Sequence, residues 1–149
     1  GGALAAFLKT ELRSGIDLLL EANHFAELIK DADWVITGEG KADKQTLMGK
    51  VPAGVLRATR QADIPTLLIA GQIENREELL NAGFHRLCAI TPSNMPLQQA
   101  MRKEMAETNL KHALEKILKE ELTKIPDADK QPARIFGPSA TKDGLPQLR

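Results

Sequence analysis

The chain has little cysteine, few aromatic residues and no surplus charge, and these shortages exclude several classes of protein. One cysteine among 149 residues leaves no disulfide within the chain, which favours a reducing compartment such as the cytoplasm. Twenty basic residues balance twenty acidic ones, whereas nucleic-acid-binding domains usually carry a concentrated basic surplus. No apolar run approaches the roughly 20 residues of a membrane helix. We therefore expect a cytoplasmic protein with neither nucleic acid nor membrane as partner.

The length fits one domain, and the start of the chain fits a piece of a larger one. A chain of this size buries roughly two-thirds of its unfolded surface. It has no initiator methionine and opens on Gly1-Gly2-Ala-Leu-Ala-Ala-Phe-Leu8, which lacks the basic start of a signal peptide. We expect a fragment of a longer protein.

Short apolar runs alternate with helical patterns, and this alternation predicts the fold class. The predicted strands are Trp34–Thr37, Ile64–Ala70 and Arg86–Ile90. The predicted helices include Ala3–Leu12, Pro52–Gln61, Glu74–Asn81, Leu97–Ala106 and a last helix with a stripe of Leu110, Ala113, Leu114, Ile117 and Leu118. Strands that alternate with helices form parallel sheets, so the prediction is an α/β protein with a parallel sheet and flanking helices. Three strands fall short of a full doubly wound sheet, and further strands are expected before Gly1.

The composition changes near the end of the chain. Four prolines (Pro126, Pro132, Pro138 and Pro146) are scattered among Asp, Lys and Gly, and no apolar period survives there. Such a segment buries too little apolar surface to hold a fixed fold. We therefore predict an α/β unit over residues 1–124 and a poorly ordered or loosely docked extension over residues 125–149.

The stretch from Asp33 to Val55 is the most informative part of the sequence. A buried-type strand runs into glycines, and charged residues crowd the segment before the next helix. These residues are Gly38, Glu39, Gly40, Lys41, Asp43, Lys44, Gly49 and Lys50. In open α/β sheets, ligands bind where strands end and helices begin. The pattern predicts a site for a phosphorylated or acidic small molecule.

The pair Gly49-Lys50 stands just before Pro52 at a predicted helix start. Free N–H groups and the positive end of the helix dipole attract phosphate there, and a lysine adds charge. The stretch is not a Walker A loop, because Lys44 occupies a glycine position and Val51 replaces the Ser or Thr after the lysine. On spacing alone, a cap glycine followed by a solvated lysine explains the pair equally well.

Two carboxylates, Glu39 and Asp43, flank Lys41 directly after the first strand. Carboxylates near a phosphate can hold Mg²⁺, and one of them can act as a base toward a substrate hydroxyl. Each taken singly is better explained as a solvated surface charge, but their place after a buried strand favours the pair. Gln45 and Thr46 offer hydrogen bonds to a hydroxylated substrate, and Thr46 serves equally well as the cap of a helical turn.

The run Asp33-x-Val-Ile-Thr-Gly-Glu-Gly-Lys-x-Asp-x-Gln-Thr-Leu-x-Gly-Lys-x-Pro-x-Gly-Val55 closely resembles the signature stretch of bacterial-type glycerate kinases, the class that contains the glycerate 2-kinases. The resemblance covers residues 1 to about 122. Two departures are Lys41, where an arginine is usual, and Ala42, where a larger aliphatic residue is usual. The lysine keeps the charge but loses bidentate geometry.

This resemblance implies an ATP- and Mg²⁺-dependent kinase that converts D-glycerate to phosphoglycerate, with the 2-phosphate as the expected product. It also implies two α/β domains, one of them Rossmann-like or flavodoxin-like, of which this chain is the C-terminal portion. The expected partners are glycerate and the nucleotide, and a homo-oligomer is compatible with the sequence. We expect the isolated fragment to be inactive.

The chemistry of the motif then assigns roles within it. The predicted catalytic residues are Lys50, Lys41 and Asp43, and the predicted Mg²⁺ ligands are Glu39 and Asp43. The predicted substrate-binding residues are Gly38, Gly40, Gln45, Thr46 and Gly49. Two alternatives stay open: a catalytically silent α/β module for ligand binding or subunit contact, and a kinase of a related small hydroxy acid.

Overall fold

The computed structural model describes residues 13–122 and 135–136, which form an α/β unit around a parallel sheet. The strands are β1 (Trp34–Ala42), β2 (Thr66–Ile73), β3 (Arg86–Ala89) and β4 (Ile135–Phe136), in the order β3-β2-β1-β4. The helices are α1 (Gly15–Ala22), α2 (Phe25–Ile29), α3 (Val51–Gln61), α4 (Arg76–Asn81), α5 (Leu97–Ala100) and α6 (Lys103–Leu122), with a 3-10 helix at Lys44–Leu47. All neighbouring strands are parallel, so the predicted fold class is confirmed. The helix predicted over Ala3–Leu12 lies outside the described residues.

Both β1 and β2 run further than the sequence pattern indicates. The prediction that β1 ends at Thr37 is wrong, because its pairing with β2 continues to Ala42 opposite Ile73. The glycines do not end the strands but let them approach closely. A Cβ on Gly38 would lie 2.7 Å from the carbonyl oxygen of Ile69. The charged residues predicted on a loop therefore begin on the carboxyl end of β1.

One face of the sheet is covered by α1 to α4. Two apolar clusters fill this side: Phe25, Ile29, Val35, Val55 and Ile64 in one, and Ala42, Leu56, Leu68, Ala70, Leu79, Phe84 and Leu87 in the other. Full burial of one large aliphatic or aromatic side chain contributes about 1.5–3 kcal/mol. The clusters press α3 against β1 and β2, which places the start of α3 beside the end of β1.

The other face of the sheet carries α6. Leu114 and Ile117, from the predicted apolar stripe, pack on a sheet surface formed by Trp34, Ile36, Leu67, Ile69, Cys88 and Ile90. Leu110 of the same stripe is 38% exposed. The helix predicted over Leu97–Ala106 is divided, because α5 ends before α6 begins. In the part of the chain that the structure describes, no helix combines the length and the apolar character needed to cross a membrane.

Charged side chains fasten α6 to β3. The guanidinium of Arg86 donates to Glu121 Oε1 at 2.7 Å and also to Glu120. Its hydrogen bond holds the pKa of Glu120 below the usual range, and the Glu120 carboxylate raises the pKa of Arg86. We call Arg86, Glu120 and Glu121 the helix clamp.

A fourth strand comes from the segment predicted to be a loose extension. Ile135 pairs with Trp34 and Phe136 with Val35, both in parallel register. Two residues are too few to show a strand period, so no sequence pattern predicts β4. The rest of the predicted extension lies outside the described residues, and its looseness stays a prediction.

Candidate functional site

The candidate site is built where β1 turns into α3 through the 3-10 helix. Asp43 caps that helix: its Oδ1 accepts a hydrogen bond from the Gln45 amide at 2.8 Å. The Asp43 amide in turn donates to Thr46 Oγ1 at 2.9 Å. This reciprocal cap satisfies backbone groups that a helix end otherwise leaves open. It fixes a tight reversal that returns the chain toward the end of β1.

The reversal brings Glu39, Thr46 and Lys50 together, and we call these three residues the acid–base cluster. Thr46 donates its hydroxyl hydrogen to Glu39 Oε1 at 2.5 Å, and Glu39 Oε2 lies 3.4 Å from Lys50 Nζ. The Glu39 side chain is 15% exposed and that of Lys50 is 43% exposed. One carboxylate oxygen is thus held from inside the fold, while the other faces a lysine at the surface. Glu39 and Lys50 converge as the sequence predicts.

Lys41 lies beside this cluster and has a different partner. Its Nζ is 2.8 Å from Glu74 Oε1, and this carboxylate raises the pKa of Lys41, with a smaller contribution from Asp43. The Glu74 amide donates to the Ala42 carbonyl at 2.8 Å, which seats Glu74 at the carboxyl end of β2. Sequence reasoning missed Glu74. Its place directly after the second strand is the signal that could have found it.

The three glycines of the predicted site serve different purposes. Gly49 has φ +86°, a backbone conformation that favours glycine, and a Cβ there would meet nothing within 4 Å. A Cβ on Gly40 would also meet nothing within 4 Å. Gly38, in contrast, is explained by its close approach to β2 rather than to a ligand. Gly40 and Gly49 therefore border open space, and exposed Gln45 sits near them on the same reversal.

The start of α3 leaves backbone donors beside Lys50. Lys50 is the N-cap, Pro52 has no N–H, and the next two amides bond back to the Lys50 carbonyl at 3.1 and 3.2 Å. Among the residues that the structure describes, the amides of Gly49, Lys50 and Val51 donate to no backbone carbonyl. Such amides, the positive end of the helix dipole and an ammonium group together favour an anion at this position.

The carboxylates fit Mg²⁺ only in company with a phosphate. Within residues 13–122 and 135–136, no group of three or more His, Cys, Asp or Glu side chains is arranged to hold a metal ion. Mg²⁺ is usually held by one or two carboxylates plus substrate phosphates. Oε2 of Glu39 does not bond Thr46, which contacts Oε1. Asp43 uses Oδ1 to accept the capping hydrogen bond. The donor set is therefore chemically suitable but incomplete without a nucleotide.

Two surface hollows lie away from the acid–base cluster. One, of about 280 Å³, is bordered by α1, α2 and α3 and lined by residues that include His24 and Phe25. The other, of about 410 Å³, lies along α6 beside His112 and Lys116. Neither is lined by a residue of the cluster. The candidate site lies instead at the carboxyl end of β1, where the Lys50 side chain is 43% exposed.

Comparison with known proteins gives one consistent family. A family model described as the glycerate kinase family matches residues 1–121. A glycerate kinase of Halalkalibacterium halodurans is 42% identical over 104 residues, which are 69% of this chain and 27% of that protein. A glycerate kinase of Bacillus subtilis is 42% identical over 101 residues, 67% of this chain and 26% of that protein. A glycerate 2-kinase of Escherichia coli is 37% identical over 103 residues, 68% of this chain and 27% of that protein.

A solved structure agrees with these relatives. A Salmonella typhimurium LT2 protein assigned as glycerate kinase 2 superposes with a TM-score of 0.51 at 33% identity, over 82% of this chain and 32% of that one. The chain thus spans about a quarter to a third of the length of the proteins it matches.

Proposed function

This chain belongs to the glycerate kinase family, and from that premise we propose that it carries the anion-binding part of an enzyme that phosphorylates D-glycerate. The proposed donor is ATP with Mg²⁺, the proposed product is 2-phosphoglycerate, and the proposed location is the cytoplasm. The observation that supports this most is the acid–base cluster at the end of β1, where Glu39 Oε2 lies 3.4 Å from Lys50 Nζ.

Lys50 is proposed to neutralise the carboxylate of glycerate or the phosphoryl group in transfer. Its ion pair with Glu39 is loose, since the atoms are 3.4 Å apart and the lysine is 43% exposed. A long ion pair with a half-exposed lysine lacks the fixed geometry of a close, forked pair, so an incoming anion can compete with Glu39 for Lys50. The amides of Gly49 and Val51, which donate to no backbone carbonyl among the described residues, add donors to the same place.

Glu39 is proposed to hold a substrate hydroxyl or a metal through Oε2. Phosphoryl transfer depends mainly on positioning and charge neutralisation, and bound Mg²⁺ supplies charge neutralisation at the nucleotide phosphates. Asp43 has a second oxygen for the same task beyond the one that caps the turn. Lys41, held against Glu74, is proposed to contribute positive charge at the rim. Gln45 is proposed to contact substrate from the exposed side of the reversal.

The test is a chimera in which residues 1–121 replace the matching segment of one of the glycerate kinases named above. Incubation with ATP, Mg²⁺ and D-glycerate is expected to yield ADP and 2-phosphoglycerate, identified by ³¹P NMR. Production of the 3-phosphate would overturn the proposed regiochemistry. A chimera that melts like its parent but forms no phosphoglycerate would overturn the kinase proposal. Preference for another small hydroxy acid over glycerate would favour the related-kinase alternative.

The 149-residue chain by itself is proposed to bind without transferring. The Lys50 side chain is 43% exposed, and the chain matches about a quarter to a third of its relatives' length. Kinases exclude water from the reacting phosphate with surfaces that close over it. The purified chain with ATP, Mg²⁺ and glycerate is therefore expected to form no ADP above the enzyme-free rate, and sustained glycerate-dependent ADP formation would contradict this.

A further inference from the structure

The hydroxyl of Thr46 is fully committed inside the fold. Thr46 is 0% exposed, its single hydroxyl hydrogen goes to Glu39 Oε1, and its oxygen accepts from the Asp43 amide. A threonine hydroxyl has one hydrogen to donate, so none remains for a ligand. The direct substrate contact predicted for Thr46 does not fit this burial. The other reading, a cap of the helical turn, fits but leaves the contact with Glu39 unexplained.

We propose that Thr46 is a positioning residue that acts through Glu39. Among the described residues, the Glu39 carboxylate has two partners, and Lys50 is the half-exposed one. Thr46 is the rigid one, because it is buried and capped by the Asp43 amide. By fixing Oε1, it aims Oε2 toward Lys50 and toward the ligand that this lysine attracts. The catalytic consequence rests on the proposed function, whereas the ordering of Glu39 does not.

The Thr46–Glu39 hydrogen bond matters for the reaction because it fixes the position of the Glu39 carboxylate. Glutamate has three rotatable side-chain bonds, and a misplacement of about 1 Å in a reacting group costs about 100-fold in rate. Functional groups keep their geometry when buried hydrogen bonds lock their rotamers. Loss of the Thr46 hydroxyl is therefore expected to lower kcat far more than it changes KM for glycerate.

The test compares Thr46→Val with Thr46→Ser and with a matched control, Thr59→Val. Thr59 is also 0% exposed, and its hydroxyl bonds the Val55 and Leu56 carbonyls and Thr66, away from the cluster. In the glycerate kinase chimera, Thr46→Val is expected to lower kcat about 100-fold with KM changed less than about threefold. Thr46→Ser restores the hydroxyl and is expected to keep kcat within about threefold of the parent. Thr59→Val removes an equally buried hydroxyl and is expected to keep kcat.

A double-mutant cycle separates positioning from general damage. In a Glu39→Gln background, Thr46→Val is expected to change kcat by less than about threefold, because residues that act through one another are not additive. The positioning role is wrong if the fold-losses in kcat caused by Thr46→Val and Glu39→Gln multiply in the double variant. It is also wrong if Thr59→Val lowers kcat as much as Thr46→Val does. If the parent chimera is active and either of these outcomes is observed, only the positioning role of Thr46 is refuted. If the parent chimera is folded but inactive, the proposed function is refuted.

A readout without activity uses the 149-residue chain itself. NMR relaxation of the Glu39 side chain is expected to show an ordered group in the parent and in Thr46→Ser. In Thr46→Val the order parameter is expected to fall below about 0.6, the range of flexible groups. An unchanged Glu39 order parameter in Thr46→Val, or an equal fall in Thr59→Val, overturns the proposal whatever the kinase assay gives.

Discussion

The molecule contains two clusters of acids and bases whose geometry differs in an instructive way. In the helix clamp, Arg86 reaches two carboxylates at once, and Glu121 is 5% exposed. In the acid–base cluster, a flexible lysine lies 3.4 Å from one oxygen of Glu39 and is 43% exposed. Arginine suits fixed, forked ion pairs, and lysine acts as a mobile point charge. The first arrangement holds a helix to a strand, and the second leaves a charge that a ligand can take.

Their positions in the sheet agree with this division. The helix clamp joins β3 to α6 across the flank of the sheet, far along the chain from the signature stretch. The acid–base cluster lies at the carboxyl end of β1, where parallel sheets bind ligands. Charge content alone therefore does not favour a binding site, whereas a half-exposed charge at the carboxyl end of a strand does.

Loss of Lys50 is expected to give the largest effect and to separate the two clusters most clearly. In the chimera, Lys50→Met should lower kcat/KM for glycerate by about 100- to 1,000-fold, since it removes the charge that we propose stabilises the developing anion. The melting temperature should change little, because the Lys50 side chain is 43% exposed. Lys44→Met is the control, as this lysine lies on the same reversal, exposed. Equal losses in both variants would show a general field effect rather than a site.

Loss of Arg86 is expected to lower the free energy of unfolding without weakening glycerate binding. Arg86→Met takes the guanidinium from the buried carboxylate of Glu121 and is expected to cost about 2–3 kcal/mol in the free energy of unfolding by urea. Arg57→Met removes an exposed pair with Asp17 and should cost less than about 1 kcal/mol. If Arg86→Met abolished glycerate binding in a folded chain, the two clusters would not be independent.

The strand end that carries the acid–base cluster can be probed with two glycines. Gly38→Ala places a Cβ 2.7 Å from the Ile69 carbonyl oxygen, a backbone atom that cannot turn aside. We expect a loss of about 1–3 kcal/mol in the free energy of unfolding. Gly40→Ala meets nothing within 4 Å and should change stability by less than about 1 kcal/mol. Equal urea midpoints for the two variants would contradict the close approach of β1 and β2.

The smallest expected effect is the acid sensitivity of the helix clamp. The pKa of Glu120 is lowered from its ordinary value of 4.5, chiefly by the Arg86 hydrogen bond. A lowered folded-state pKa stabilises the fold above the unfolded value, and that contribution is lost as pH falls through the folded value. Between pH 7 and pH 3, the free energy of unfolding should therefore fall less in Glu120→Gln than in the parent. Identical pH profiles would show that Arg86 does not act on Glu120.

The sequence predicts the fold class and the elements that bring the candidate site together, because their apolar runs and helical stripes are clear. Val35 and Leu68, from apolar strand runs, and Ile117, from the helical stripe, lie in the core as predicted. The predicted ends of β1 and β2 are wrong because glycine usually weakens a strand. At Gly38 the close contact of β1 with β2 explains why the strand continues. β4 was missed because its two residues pair across about a hundred positions of sequence.

The sequence predicts which residues come together in the candidate site but not which hydrogen bonds and ion pairs they form. The motif brings Glu39 and Lys50 to one place, and the structure shows them 3.4 Å apart. Spacing could not show that Asp43 caps the turn, that Thr46 turns inward, or that Lys41 pairs with Glu74. These choices depend on which way each side chain points after the reversal, which is set by three-dimensional packing.

The most direct test of the account is an NMR titration of the 149-residue chain with D-glycerate. Saturable amide shifts are expected to centre on residues 38–51, with an affinity of about 1 mM or weaker. They are expected to vanish in Lys50→Met and to persist in Lys44→Met. Saturable shifts centred on another surface, or shifts around Glu39 that survive in Lys50→Met unchanged, would contradict the claim that the acid–base cluster is the place where this chain holds its anion.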